Sequence, residues 1–178
     1  MTLDAQTLKD RYGALEAREN RADLAFAVFP ADRIRDVLTR LRLNEGYVHL
    51  SFHTAVDLIE QDVLELLWMV HNPAEGHSLG VKARLDRKAP SMESLHDLWE
   101  ALATYQRELR EMFGVDFPGC PRLHDDFALE GWDGPPPMRR DFDTRAYSEE
   151  TYFPRPGRST SDPAEHRREK LYPGRADL

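Results

Sequence analysis

Residues Val63–Val70 read VLELLWMV, an almost unbroken apolar run of strand length. A strand with one wet face alternates between apolar and polar residues, whereas one buried on both faces does not. The run therefore predicts a central strand. Its flanks supply the neighbours. Leu24, Phe26 and Val28 alternate, as do Val48, Leu50 and Phe52. Leu79, Val81, Ala83 and Leu85 alternate again after the turn residues Asn72-Pro73-Ala74-Glu75-Gly76. Three stretches have helical spacing instead. The first is Asp4–Tyr12, with Thr2 or Asp4 as cap and Gly13 as stop. The second follows Pro30-Ala31-Asp32 and carries Ile34, Val37, Leu38 and Leu41 on one stripe. The third starts at Ser91, aligns Leu95, Leu98, Leu102, Tyr105, Leu109 and Met112, and ends at Gly114 as a left-handed cap. This order predicts an α+β domain over 1–113, a mixed, largely antiparallel sheet with helices packed on it.

A length of 178 residues suits one domain plus an extension, and 40% hydrophobic with 31% charged residues can form a core. No apolar run approaches a membrane span. The opening MTLDAQTLKDRYG has acidic residues and no apolar signal region, which argues against secretion or a transit peptide. A single cysteine, Cys120, excludes an internal disulfide and any cluster held by this chain's cysteines alone, and fits a cytosolic or cytosol-facing setting. The net charge of −8 argues against nucleic acid as a partner, because phosphate neutralisation needs a basic face. That charge resides in residues 1–142, which hold 17 basic and 25 acidic side chains; the remainder is neutral and Arg-rich.

The stretch from Gln106 to Phe142 combines a charged helical run with a loop of glycines, prolines and large aromatics. Gly and Pro dictate backbone conformation there, and Phe117, Trp132 and Phe142 sit where no regular element can form. Such a loop is built to be held against something.

This stretch resembles the signature of the thirty-kilodalton subunit family of NADH–quinone oxidoreductase, respiratory complex I. The family pattern runs E-R-E-x-x-D-M-F/Y-G-I/V-x-F-x-G-H-P, then W-x-G, then R-K-D-F/Y. Arg107, Glu108, Met112, Phe113, Gly114, Val115, Phe117, Gly119, Pro121 and Leu123 fall in register, as do Trp132, Gly134, Arg139, Asp141 and Phe142. Thr54-Ala55-Val56-Asp57 followed by Val63–Leu67 is a second likeness upstream, so the resemblance spans about Asp23 to Phe142. The departures are Gln106 for the first Glu, Glu111 for Asp, Cys120 for His, and Arg122, His124 and Asp125 in the run that follows. The resemblance implies a cofactor-free scaffold in the peripheral arm of a membrane oxidoreductase, at the cytoplasmic face. It would pack against an iron–sulfur cluster subunit and a hydrogenase-like large subunit, reach the membrane only through the complex, and hold no active site of its own. The same subunit type occurs in energy-converting hydrogenases and formate hydrogenlyases, which stand as the alternative. A free-standing hydrolase is the remote one.

Within the segment, 114–142 forms the signature loop. Arg107, Arg139 and Arg140 offer planar bidentate donors for carboxylates. With Glu108, Glu111 and Asp141, and beside Trp132 and Phe142, they match the composition of an interface. Gly114, Phe117, Gly119 and Pro121 shape the loop. The competing reading is internal bracing, including an Arg107–Glu111 pair at i,i+4 spacing. Both operate in the expectation taken here: some charges brace the loop and its outer face docks. Glu108 and Glu111 as an acid–base pair, Cys120 with His124 as a nucleophile pair, and His49 and His53 on one strand face with His71 or His77 as metal ligands all have blander readings. No phosphate-binding or dinucleotide fingerprint is present.

Residues 143–178 contain no Val or Ile and are punctuated by Pro154, Pro156, Pro163 and Pro173. The expectation is an extended arm that orders on a partner through Tyr147, Tyr152, Phe153, Leu171 and Tyr172.

Overall fold

A computed structural model describes residues 3–152 and 162–171. The chain divides into two units, Met1–Arg140 and Asp141–Leu178. The first contains a five-stranded mixed sheet in the order β1-β2-β5-β4-β3. Its strands are β1 (Glu16–Arg21), β2 (Leu24–Phe29), β3 (His49–Leu58), β4 (Val63–Asn72) and β5 (His77–Asp86). Only β2 and β5 run parallel; the other pairs are antiparallel. The α+β class and the largely antiparallel sheet expected from the sequence are observed.

The core lies on one face of the sheet. Leu64, Leu66, Trp68 and Val70 of β4, with Leu79, Val81, Ala83 and Leu85 of β5, form one buried cluster with Ala25, Ala27 and Phe29 of β2. Helix α2 (Ile34–Asn44) brings Ile34, Val37, Leu38 and Leu41 to that cluster, and α3 (Ala101–Phe113) brings Leu102 and Leu109. Each fully buried Leu or Ile contributes roughly 1.5–3 kcal/mol, so the two helix stripes hold both elements down. Truncating Trp68 to Ala would cost about 3–5 kcal/mol. Helix α1 (Ala5–Asp10) starts where the Asp4 carboxylate accepts from the Thr7 N–H at 2.7 Å, so Asp4 is its cap; Thr2 lies outside the described residues.

Three expectations need correction. First, β1 was not foreseen. Its sequence, EARENR, has no apolar face because it lies at the sheet edge with almost every side chain exposed. Second, Leu50 and Phe52 do not share a face. The register shifts between them, Leu50 opposing Val70 and Phe52 opposing Met69. The bulge at Ser51 sends Leu50 inward and Phe52 outward. The same shift leaves His49 exposed and buries His53, so the two histidines do not share a face either. Third, α3 begins at Ala101 rather than Ser91. The backbone of residues 90–94 is committed elsewhere: Asp116 N–H donates to Pro90 O, Met92 N–H to Asp116 O, and Ser94 N–H to Pro118 O, at 2.8–3.0 Å. Leu95 still reaches the core from the turns that follow.

The second unit departs from an extended arm where it is described. It contains α4 (Thr144–Tyr152) and α5 (Pro163–Leu171). Asp143 starts α4 by accepting from the Arg145 and Ala146 N–H groups, and Arg145 pairs with Glu149 at i,i+4. Asp162 accepts from Ala164 N–H, with Pro163 at the first helical position, where its missing N–H costs nothing. Phe153, Pro154, Pro156, Tyr172 and Pro173 lie outside the described residues, as does the Tyr152 side chain.

Candidate functional site

Helix α3 stops at Gly114, whose φ of 72° is left-handed and whose N–H caps the helix on Arg110 O and Leu109 O. A side chain there would meet a second obstacle, since a Cβ would lie 2.9 Å from Pro136 Cγ. Glycine is thus needed both for the turn and for the proline run to cross the helix end. Beyond it, Val115, Phe117 and Leu123 are buried in the core. Phe117 packs edge-on against His53, whose ring in turn stacks on Trp68 at 4.5 Å. These anchors pin the first half of the loop. Gly119 turns it at φ 86°, with Pro121 exposed just beyond.

Glu111 organises the second half. Its carboxylate accepts from three successive backbone N–H groups, Phe127 at 2.8 Å and Ala128 and Leu129 at 2.9 Å. Arg107 donates instead to Asp126 O at 2.8 Å, and its guanidinium lies over the Phe127 ring. The expected Arg107–Glu111 pair is therefore replaced by two separate ties to the same loop. Spacing on the helix placed the two charges together, but the loop offers unpaired N–H and C=O groups that each charge satisfies better. The Glu108 side chain is half-buried and makes no ion pair or hydrogen bond among the described residues. A groove of about 310 Å³ remains between helix and loop, lined in part by Arg110, Glu111, His124 and Trp132. Trp132 is half-buried, its indole N–H donating to Pro135 O at 3.1 Å.

The strap Met138–Arg140 closes the segment onto the sheet. Met138 N–H donates to Met112 O. Arg139 donates from Nε to Phe113 O at 2.8 Å and from Nη1 to Arg87 O at 3.0 Å. The Arg140 N–H donates to Asp57 Oδ2 at 2.9 Å, and its guanidinium meets the exposed Glu60 carboxylate. Asp57 also receives Arg87 in a two-point contact, Nε to Oδ1 at 2.7 Å and Nη2 to Oδ2 at 2.9 Å. This is the buried electrostatic centre of the segment, with side chains 1% and 11% exposed. The Arg87 contacts hold the Asp57 carboxyl below its ordinary range. Asp57 and Arg87 were missed as a pair because they are far apart in sequence, although Asp57 closes the upstream family likeness. Asp141 and Phe142 begin the second unit, where Phe142 and Tyr147 bring their rings to 5.4 Å.

The catalytic candidates are not assembled. The Cys120 thiol points to Ala103 O and Pro121 O, each at 3.7 Å, not to His124, and burial pushes its pKa up. His53 donates from Nδ1 to Leu67 O, and burial drives it down to about 3, so it is neutral near pH 7. His71 is bonded to Ser78 and His77 to Tyr47. Among the described residues no group of three or more His, Cys, Asp or Glu is placed to hold a metal, and no helix is long and apolar enough to cross a membrane. Gln106, where the family pattern has Glu, is fully buried and accepts from the Ser94 hydroxyl at 2.6 Å.

The family described as "Respiratory-chain NADH dehydrogenase, 30 Kd subunit" matches residues 27–148. An NADH-quinone oxidoreductase subunit of Moorella thermoacetica is 34% identical, over 77% of this chain and 91% of its own length. The mitochondrial 30.4 kDa subunit of NADH-ubiquinone oxidoreductase from Neurospora crassa is 32% identical, over 80% of this chain and 50% of that protein. Among solved structures, a chain of the membrane-bound sulfane sulfur reductase, an archaeal respiratory membrane complex, superposes with a TM-score of 0.71. It shares 27% identity and covers 83% of this chain and 88% of its own. The chain belongs to the thirty-kilodalton subunit family of complex I-type NADH–quinone oxidoreductases. It is thus a subunit type found in multi-subunit membrane respiratory complexes.

Proposed function

We propose that this chain is a cofactor-free scaffold in the peripheral arm of a complex I-type membrane oxidoreductase. It packs against an iron–sulfur subunit and a hydrogenase-like large subunit at the cytoplasmic face, and contributes geometry rather than chemistry. The observation that carries this reading is how the signature segment uses its charges. Glu111, Arg107, Arg139 and the Asp57–Arg87 pair all tie the loop to its own domain. Among the segment's exposed side chains, charged ones such as Glu130 and Asp133 are accompanied by large apolar ones: Phe127 is 38% and Met138 58% exposed, with Trp132 half-buried. A rigid loop presenting such side chains suits docking, since little ordering entropy is left to lose on association.

The second reading is the equivalent subunit of a hydrogenase-type complex. The 0.71 superposition on a chain of the sulfane sulfur reductase complex favours keeping it. Cysteine pairs that bind nickel in the companion large subunit would decide between the two.

The test is purification of the native complex through this chain, with Trp132→Ala alongside. The variant is expected to lower the yield of assembled complex while activity per iron stays unchanged; truncating an interface anchor of this kind costs about 2 kcal/mol or more. Unchanged yield with collapsed activity per iron would place the loop in the reaction and refute the scaffold reading.

A further inference from the structure

Helix α3 carries one charge that the fold leaves unused. The segment from Gln106 to Phe142 contains five arginines. Four have partners: Arg107 binds Asp126 O, Arg122 binds the Asp125 carboxylate at 2.6 Å, Arg139 binds Phe113 O and Arg87 O, and Arg140 binds Glu60. The half-buried Arg110 side chain makes no hydrogen bond or ion pair among the described residues. Its own helix offers it no acid. A helical arginine meets the side chains three and four positions away, and around Arg110 those positions hold Gln106, Arg107, Phe113 and Gly114. Its place in the last turn of α3 complements the helix dipole. That effect uses the charge alone and leaves the N–H donors of the guanidinium unspent.

Arg110 lines the groove of about 310 Å³ between α3 and the signature loop. Three carboxylates line it as well, and each is already engaged. Glu111 accepts from the Phe127, Ala128 and Leu129 N–H groups, Asp125 from Arg122, and Asp126 Oδ2 from the Gly131 N–H at 3.1 Å. The groove also contains Arg107, whose Nε is buried with no acceptor. Donors and acceptors in the groove therefore do not balance: its acids are bonded to the chain itself, while its two arginines keep donors to spare. A buried donor without an acceptor is costly, and an incoming oxygen relieves that cost. Leu123, Trp132 and Pro136 add apolar wall.

We infer that this groove receives an acidic side chain of a partner subunit, an Asp or Glu whose carboxylate takes Arg110 in a two-point contact. The two oxygens of a carboxylate match the planar fork of a guanidinium, and the bonds they form are charge-assisted. A partner's lysine or arginine would find the groove's acids already bonded and would set a second positive charge beside Arg110. The volume lies at the small end of ligand sites and suits one side chain. The loop's own exposed acids, Glu130 and Asp133, form no ion pair with Arg110 in this fold. The inference rests on the scaffold reading and deepens it by naming one residue and the chemistry that meets it.

The experiment purifies the native complex through the full chain, as wild type, Arg110→Met and Arg110→Lys. Arg110→Met keeps an aliphatic stem and removes the charge. It should lower recovery of partner subunits by about tenfold. The melting temperature of the free chain should stay nearly unchanged, because no described bond within the chain is lost. Arg110→Lys keeps the charge and supplies an amine, so recovery should fall less. A zero-length carbodiimide applied to that complex should join the amine at position 110 to an Asp or Glu of a partner subunit, with loss of water, as located by mass spectrometry. A link only to Glu130, Asp133 or another acid of this chain overturns the inference, because the groove is then neutralised from within. So does the absence of any link from position 110 while the chain's other lysines are linked. Unchanged recovery with Arg110→Met overturns it too, as does a recovery loss matched by a lower melting temperature of the free chain. In each of these cases the scaffold reading stands, since the wild-type chain still brings down its partners. Failure of the wild-type chain to bring down any partner subunit removes both readings.

Discussion

Asp57→Asn tests whether the buried centre holds the signature segment in place. The carboxylate takes two bonds from Arg87 and one from the Arg140 N–H, at 2.7–2.9 Å, in a site that water scarcely reaches. Asparagine keeps the shape but removes the charge, so the Arg87 guanidinium loses the carboxylate of its two-point contact. Breaking a buried pair from one side costs about 3–5 kcal/mol. For a chain of this size each kcal/mol moves the midpoint by about 2–4 °C, so the variant should melt roughly 10 °C lower at pH 7. The pH dependence gives an independent check. The folded pKa of Asp57 lies below its unfolded value of about 3.9. Its contribution is therefore complete above the unfolded value and disappears as pH falls through the folded one. The gap between wild type and variant should be constant near neutrality and narrow in acid. Adding Arg87→Met to Asp57→Asn removes the other half of this contact and should recover about 1 kcal/mol. Calorimetry from pH 2 to 8 measures all of this. A midpoint within about 2 °C of wild type at pH 7, or a gap that persists in acid, would refute the argument.

Gly114→Ala should cost about 2 kcal/mol, from left-handed strain plus the push against Pro136, and show as a lower urea midpoint at unchanged slope. Glu111→Ala leaves the Phe127, Ala128 and Leu129 N–H groups without their acceptor, so the peptide bonds of 124–133 should become the first sites cut in limited proteolysis. Cys120, its thiol raised by burial, should react with iodoacetamide at neutral pH about tenfold or more slowly than a free cysteine, and Cys120→Ser should leave complex turnover unchanged.

What the sequence revealed depended on whether the governing interaction was local. The β4 run and the Gly114 cap are written in adjacent residues, and both are found where their pattern places them. The bulge at Ser51 is not local: alternation continues through HLSF in the sequence, and only the pairing with β4 decides that Leu50 and Phe52 part company. The strand β1 escaped for the opposite reason, since its polar residues answer to water at an open edge rather than to a core. Charges were the least legible. Arg107, Arg139 and Glu111 have the composition of contacts for opposite charges or for partners, yet in the fold they bind backbone atoms of this same chain. A loop without regular structure leaves many main-chain groups unpaired, and buried ones must find partners. Long charged side chains on the neighbouring helix and strap reach them at low cost, because each such bond is charge-assisted. Arg and Glu in this signature therefore do not by themselves mark a docking surface. The segment's remaining exposed side chains are mixed, charged ones such as Glu130 and Asp133 and apolar ones such as Phe127 and Met138, and under the proposed scaffold reading it is this mixture that a partner would meet.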